Sequence, residues 1–595
     1  MSVAALLAAA VLSTASAEQF VDANIKPMME RSGSPGAYVV IVRGDETVFA
    51  KGYGIVDADT TLLNIASIGK PMTALATLSL AREGKLDLDR DVNEYLAASG
   101  RDIHVTGPTL TLNDLLGHRA GFDANLSHLF VDLGEDASVA DAEINRRLVL
   151  LRKPGLVSAY DNQGYGVVGL VLAAVTKQPH AQILKERVFD PIGMTHARYV
   201  TPDAGGPDLA PCVVALGPNT TRPCPYPVYR ESLRGAGGIG ASAQDMARFM
   251  KMLLDEGRVD GKQAVAPELV ADLTNFDRYR FQPGLPGSAR SFTEINNTDR
   301  PQYSHSGHVP GFSSALQIYP AAHIGIMIAF MGGVSPAFDA TPTALVDQLL
   351  HYQPQSADVR KAIFELEGFA DRIADEFVPK VEVPAASIGP GASTVAHPEG
   401  DYLPASELSA SLAGRVFRSV AGISVTKDAQ GELFLAGAGP YRPIGPDLYE
   451  NSDKTRIAFG ERDGHRLMAT GLSAAMWEVR PKLSAPAWTV PAFALALLLW
   501  PTWLFYGRAS MRPMIAWLVL IAGIVCELQF GVWFRIVKGQ MWAPILWQAA
   551  IVVAQIAMIV AAESDLRSAP TKLRRAHQSV LLVAAIVLTG AYWWW

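Results

Sequence analysis

The stretch Asn64-Ile65-Ala66-Ser67-Ile68-Gly69-Lys70-Pro71-Met72-Thr73-Ala74-Leu75-Ala76-Thr77-Leu78 constrains this chain more than any other. Met72, Leu75 and Leu78 recur at helical spacing and form an apolar stripe, so the segment reads as a buried helix. Pro71 falls in its first turn, where its missing N–H would have had no partner in any case. Ser67 and Lys70 stand three residues apart, hence on one face, with side chains roughly 5–6 Å apart. A serine hydroxyl is a weak nucleophile until a neighbour takes its proton, and a lysine can do so once burial makes its neutral form accessible. Taken alone the pair says little, because S-x-x-K arises by chance about once in a chain this long.

The 595 residues exceed what one compact domain holds, so two or more are expected. The formal charge of −7, with no basic run before Trp488, argues against nucleic acid and for a peptide or other small-molecule substrate. Residues 1–17 read as a signal peptide, with Val3 to Leu12 apolar and Ala15-Ser16-Ala17 as a small-residue cleavage site, although no Lys or Arg precedes the apolar run. From Trp488 the composition turns apolar. Trp488 to Phe505, Met514 to Phe534, Ala543 to Ala562 and Val580 to Trp595 each approach the roughly 20 residues that cross a bilayer. Four transmembrane helices are therefore expected over residues 487–595. Their first and third connecting loops carry six Lys and Arg residues against two in the second, which makes those loops cytoplasmic. The expected localisation is thus the cell membrane, multi-pass, with the long preceding segment on the extracytoplasmic (periplasmic) side. Cys526 lies within the second run. Cys212 and Cys224 flank a loop rich in Pro, Gly, Asn and Thr, a pairing that an oxidising compartment would allow.

Read in order, the chain predicts a helix over Val21 to Arg31 and a hairpin of Ala37 to Val42 with Thr47 to Tyr53. Helices follow to about Glu83 and over Asp87 to Ala97, Thr111 to Leu116, Val167 to Thr176 and Ser242 to Leu254, the last capped by Ser242. A loop through His305 to Ser314 leads into a strand to Tyr319, then a strand from Ile324 to Met331 and a closing helix over Thr341 to His351. Such an order suggests an α+β fold, an antiparallel sheet flanked by helices plus a helical subdomain. Residues 356–404, with Pro, Ala, Gly and Ser concentrated after Pro379, read as a linker. Residues 405–482 contain short alternating runs that predict a small β domain.

Three motifs in sequence, Ser67-x-x-Lys70, Tyr160-x-Asn162 and His305-Ser306-Gly307, resemble the active-site motifs of the serine β-lactamase and DD-peptidase superfamily. Three in order are far more specific than one. The context is similar to the class C-like branch: His118-Arg119-Ala120-Gly121 closing the Leu112 segment, Pro154-Gly155 before Tyr160, Pro191-Ile192-Gly193-Met194, and Gly237-Gly238 ahead of Asp245-Met246-Ala247-Arg248. The resemblance spans about residues 20–355, and implies a β-lactamase-like domain over 18–355. It implies that Ser67 forms an acyl-enzyme, that Lys70 and Tyr160 share proton transfer in roles left unassigned, and that the backbone N–H groups of Ser67 and His308 form an oxyanion hole. Asn162 would hold a substrate amide or merely cap the helix after it. His305, Ser306 and Gly307 would line the opposite wall, with His118 and His308 serving the loops. Neither metal nor organic cofactor is implied. True class C enzymes usually carry lysine at the position of His305, and the histidine form resembles DD-carboxypeptidases and D-aminopeptidases; its imidazole would attract a substrate carboxylate weakly and with pH dependence. Asp161 stands where many relatives have serine. The expected function is a membrane-anchored serine peptidase or amidase. The alternatives are an esterase or β-lactamase with the same site, or a β-lactam- or peptide-sensing membrane protein with Glu527, Gln529, Gln548 and Gln555 in its spans. Oligomeric state is left open.

Overall fold

The N-terminal hairpin forms β1 (Gly36–Arg43) and β2 (Glu46–Gly54), turning at Gly44, whose φ of +55° lies in the left-handed region that glycine enters freely. The computed structural model describes residues 12–122, 130–295, 299–333, 357–381, 398–404, 423–436, 438–470 and 476–479. Four later strands, β3 (Thr293–Ile295), β4 (Gln302–Val309), β5 (Phe312–Tyr319) and β6 (Ile324–Met331), complete a sheet of order β3-β4-β5-β6-β1-β2. Every neighbouring pair is antiparallel. β6 is buried at every position and β1 at all but its last, because helices cover both faces of the sheet.

Strand alternation divides the side chains between two cores. Val39 and Ile41 of β1, with Ile326, Ile328 and Phe330 of β6, meet α1 (Thr14–Ser32) and two later helices, α5 (Ala357–Glu367) and α6 (Phe369–Phe377). Tyr38, Val40 and Val42, with Met327 and Ala329, face the larger core shared with α2 (Gly69–Arg82), α3 (Asn162–Thr176) and α4 (Ala243–Leu254). Ser242 caps α4 through a capping box with Asp245, as its position in the sequence suggests. α1 starts earlier than the apolar pattern indicates. Ser13 caps it, and Ala17, the last residue of the expected signal peptide, is buried in the core; residues 1–11 lie outside the described residues. α5 and α6 occupy residues 357–377 of the stretch read as a linker, their apolar residues Ile363, Phe369 and Ile373 closing the sheet's outer face.

The C-terminal part of the expected fold class needs correction. Eight strands, β7 (Gly400–Pro404), β8 (Ile423–Lys427), β9 (Leu433–Leu435), β10 (Ala438–Gly445), β11 (Leu448–Glu450), β12 (Arg456–Arg462), β13 (His465–Thr470) and β14 (Met476–Val479), form a closed barrel. Closure, with β7 paired to β14, leaves no open edge. Among the described residues no helix is long and apolar enough to cross a membrane. The expectation of four transmembrane helices, and the multi-pass membrane localisation built on it, are therefore not retained. The four apolar runs from Trp488 and the helix expected over Thr341 to His351 lie outside the described residues.

Candidate active site

From Leu62 to Lys70 every residue is buried except Ser67. The chain reaches Ser67 through Leu63–Asn64, a short strand paired with Ile239–Ala241, and through Ala66, held at φ +51°. The Asn64 side chain fixes that left-handed residue by accepting the Ala66 N–H at 2.9 Å. Lys70 is wholly buried, with Nζ 2.9 Å from Ser67 Oγ and donating to the Ala236 carbonyl at 2.7 Å. Burial holds the lysine well below its ordinary range, against the opposing pull of the Asp161 carboxylate. With an N–H spent on Ala236, the neutral amine has its lone pair free to face the serine hydroxyl.

The loop before α3 brings a phenol to the same oxygen. Tyr160 is 40% exposed, yet its hydroxyl hydrogen-bonds Ser67. Tyr229, buried on the short strand Val228–Tyr229, reaches Ser67 as well. Burial raises both phenols against the opposing effect of the Ser67 hydroxyl, so both stay protonated. Ser67 Oγ therefore adjoins the Lys70 amine and two protonated phenols. Asp161 does not point a free charge at this site: it caps α3, accepting the N–H groups of Gln163 at 2.8 Å and Gly164 at 2.7 Å. Asn162 is the first helical residue rather than the cap, and its buried side-chain oxygen has no hydrogen-bond partner among the described residues.

His305-Ser306-Gly307 lies within β4, not in a loop, and strand alternation separates its members. His305 and Gly307 face inward, while Ser306 and His308 face outward. The His308 imidazole is 2.5 Å from the Glu367 carboxylate on α5. A Cβ at Gly307 would lie 2.3 Å from the Ile65 carbonyl oxygen, so only glycine lets the strand approach the turn that carries Ser67. His305 is engaged at both nitrogens, Nδ1 with the Ser306 carbonyl at 2.6 Å and Nε2 with Ser291 Oγ at 3.0 Å. Ser291 Oγ is in turn 3.4 Å from Nε2 of His118, whose Nδ1 accepts the Asp161 N–H at 3.1 Å. Burial, aided by Lys70, pulls His305 down to about 3, and burial likewise pulls His118 well below its ordinary range. Both are uncharged at neutral pH. The pH-dependent attraction for a carboxylate anticipated at His305 is therefore corrected: the ring is desolvated and already paired.

The β-lactamase family model matches residues 21–350, more than half of the chain. The chain belongs to the β-lactamase family. It is accordingly a serine hydrolase. Protein flp of Staphylococcus aureus (strain N315) is 25% identical over 331 residues, 53% of this chain and 63% of flp. The putative penicillin-binding protein PbpX of Bacillus subtilis (strain 168) is 29% identical over 281 residues, 46% of this chain and 65% of PbpX. In both cases the chain spans less than two thirds of the relative's length. Among solved structures, SurE is similar at 19% identity with a TM-score of 0.48, covering 78% of this chain and 100% of SurE. The octameric penicillin-binding protein homologue from Pyrococcus abyssi is similar at 18% identity and a TM-score of 0.46, covering 77% and 99%.

Of the positions that the family motifs single out, Ser67, Lys70, Tyr160, His305 and Gly307 gather at one place, whereas the side chains of Ser306 and His308 turn to the other face of β4. Sequence reasoning missed Tyr229, the Ala236 carbonyl and Ser291, none of which stands in a motif, and it left His118 as a loop residue. It also left open whether the β domain touches the site. The barrel grips the loop that ends at Tyr160: Met476 N–H donates to the Ser158 carbonyl at 3.3 Å, and Ser158 N–H donates to Met476 Sδ at 3.2 Å. Arg152 pairs with Glu478 at 3.3 Å, and Leu156, Val157 and Leu285 share one apolar cluster with Leu448 and Leu467 of the barrel.

Proposed function

We propose that this member of the β-lactamase family hydrolyses peptide or amide bonds through an acyl-enzyme on Ser67, in the manner of a DD-peptidase or D-aminopeptidase. The observation that supports this reading best is the setting of Ser67 Oγ: a desolvated amine lies 2.9 Å away and two phenols adjoin the same hydroxyl. In this scheme Lys70 takes the proton as Ser67 attacks the carbonyl carbon. The carbonyl oxygen becomes an oxyanion held by the backbone N–H groups of Ser67 and His308, and Tyr160 delivers a proton to the leaving nitrogen as the C–N bond breaks. Water then cleaves the acyl ester by the same steps in reverse. Asn162 would hold the substrate amide in this scheme.

Intact-mass measurement after mixing with a D-alanyl peptide, a p-nitrophenyl ester and a chromogenic cephalosporin tests this reading, with the modified residue located by peptide mapping. The expected outcome is an adduct on Ser67, fastest turnover of the peptide, and no adduct or turnover in Ser67→Ala. Turnover retained in a clean Ser67→Ala preparation rules out the mechanism, and a faster ester or cephalosporin reaction reassigns the substrate.

A further inference from the structure

We propose that Ser314 is a positioning residue: by donating its proton to the Ile65 carbonyl it holds the Ile65–Ala66 peptide in the plane that keeps Ala66 left-handed, and so presents the Ser67 N–H to the oxyanion beside β4. This deepens the functional reading above and rests on it.

Along β5 the alternate residues Phe312, Ser314, Leu316 and Ile318 share one face, and the three apolar ones belong to the larger core. A hydroxyl therefore stands in an otherwise apolar series. Ser314 is wholly buried, where a hydroxyl without a hydrogen bond is costly. A carbonyl oxygen only accepts, so Ser314 Oγ, 3.0 Å from the Ile65 carbonyl oxygen, is the donor. The Gly307 carbonyl oxygen is farther away at 3.5 Å, and one hydroxyl has one proton. Glycine on the neighbouring strand leaves room for this bond: Gly307 is the register partner of Ser314, and a Cβ there would lie 2.5 Å from Ser314 Oγ.

The bond completes a clamp on a single peptide. Its N–H, on Ala66, is accepted by the Asn64 side chain at 2.9 Å, and its carbonyl oxygen takes the Ser314 proton together with the Ile68 N–H at 3.2 Å. Holding that plane at both edges holds the rotation about the Ala66 N–Cα bond, which is φ. An alanine at φ +51° is strained, and such strain persists only where neighbours enforce it. Asn64 and Ile68 are each two residues from Ala66 and belong to the same turn. Ser314 reaches it from outside, anchored on a strand that lies between β4 and β6. Helix geometry sets the distance from Ser67 to Lys70, but not where that pair stands relative to β4 and the His308 N–H. The tie from β5 sets it.

The test uses the full-length protein, Ser314→Ala, Ala66→Gly and the double variant. Glycine enters the left-handed region without penalty, so Ala66→Gly removes the need for the clamp. Ser314→Ala alone should lower kcat for a p-nitrophenyl ester by about 10-fold, the population shift that a left-handed penalty allows, with KM changed by less than about twofold. In the Ala66→Gly background the same substitution should cost only about twofold, because the turn no longer relaxes away from its native φ. The acyl-enzyme formed with an isotope-labelled carbonyl gives a second readout. Its carbonyl stretch should rise in wavenumber in Ser314→Ala, as an N–H donor leaves the oxygen, and return towards the wild-type value in the double variant. A crystal structure of Ser314→Ala should show Ala66 outside the left-handed region. Wild-type kcat in Ser314→Ala overturns the proposal, as does an Ala66 that stays left-handed in that structure. An equal loss in both backgrounds also overturns it, since a serine that merely supports the fold would give that result. Labelling of wild-type Ser67 by the ester is read separately: its absence defeats the functional reading, while the φ of Ala66 in the variant still decides what Ser314 holds.

Discussion

On one side of the site, Ser67 and Lys70 come from a single turn and the start of one buried helix, and the geometry of that helix alone brings Nζ within 2.9 Å of Oγ. On the other, His118, Ser291 and His305 arrive from three distant parts of the chain, and two of them sit at positive φ, +55° for His118 and +77° for Ser291. The first wall needs only local structure, and the proposed chemistry lies there. The second exists only once the whole domain has folded, because its members meet through long-range packing.

Removing the amine should produce the largest effect. Lys70→Ala is expected to lower kcat/KM by about 10³-fold or more with the fold intact, since members of one catalytic unit fail together; activity within a factor of about ten of the wild type would mean the helix wall is not where the chemistry lies. The pH profile sharpens the same point. The neutral amine exists above its lowered pKa and is lost as pH falls through it, so the acid limb of kcat/KM should lie well below the usual lysine value of about 10.4. Tyr160→Phe comes next, with an expected loss of about 10² to 10⁴-fold that falls on kcat and is larger for an amide than for an activated ester, whose leaving group needs no proton. Equal losses on the two substrates would remove Tyr160 from the acid role. The smallest catalytic change is expected at the barrel. Met476→Ala takes a buried side chain from the cluster behind Ser158 and should reduce stability by about 2–5 kcal/mol, read from denaturant unfolding, with only a few-fold loss of kcat. A large kcat loss at unchanged stability would place the barrel among the groups that build the site rather than those that support it.

The contrast also explains what could be read from the sequence. The hairpin, β6, α4 with its Ser242 cap and the Ser67 helix all follow from periodicity and capping within a few residues. Helical spacing shows that Ser67 and Lys70 share a face, but not that the helix is buried nearly all round, which comes from the sheet and α3 packing against it. Tyr229 and Ser291 left no trace, because a lone tyrosine or serine means nothing until tertiary structure aims it. His305 looked like a partly charged wall for the same reason: its two hydrogen-bond partners and its desolvation are properties of the fold. The short β runs after residue 405 indicated strands, yet barrel closure depends on β7 meeting β14 across some seventy residues of chain, which no local pattern encodes.

Gly307 fixes one dimension of this enzyme. With no side chain between β4 and the Ile65 carbonyl, the gauge of the groove is set by main chain against main chain, and even a methyl group would act as a wedge. Side-chain exchange cannot widen or narrow it by degrees.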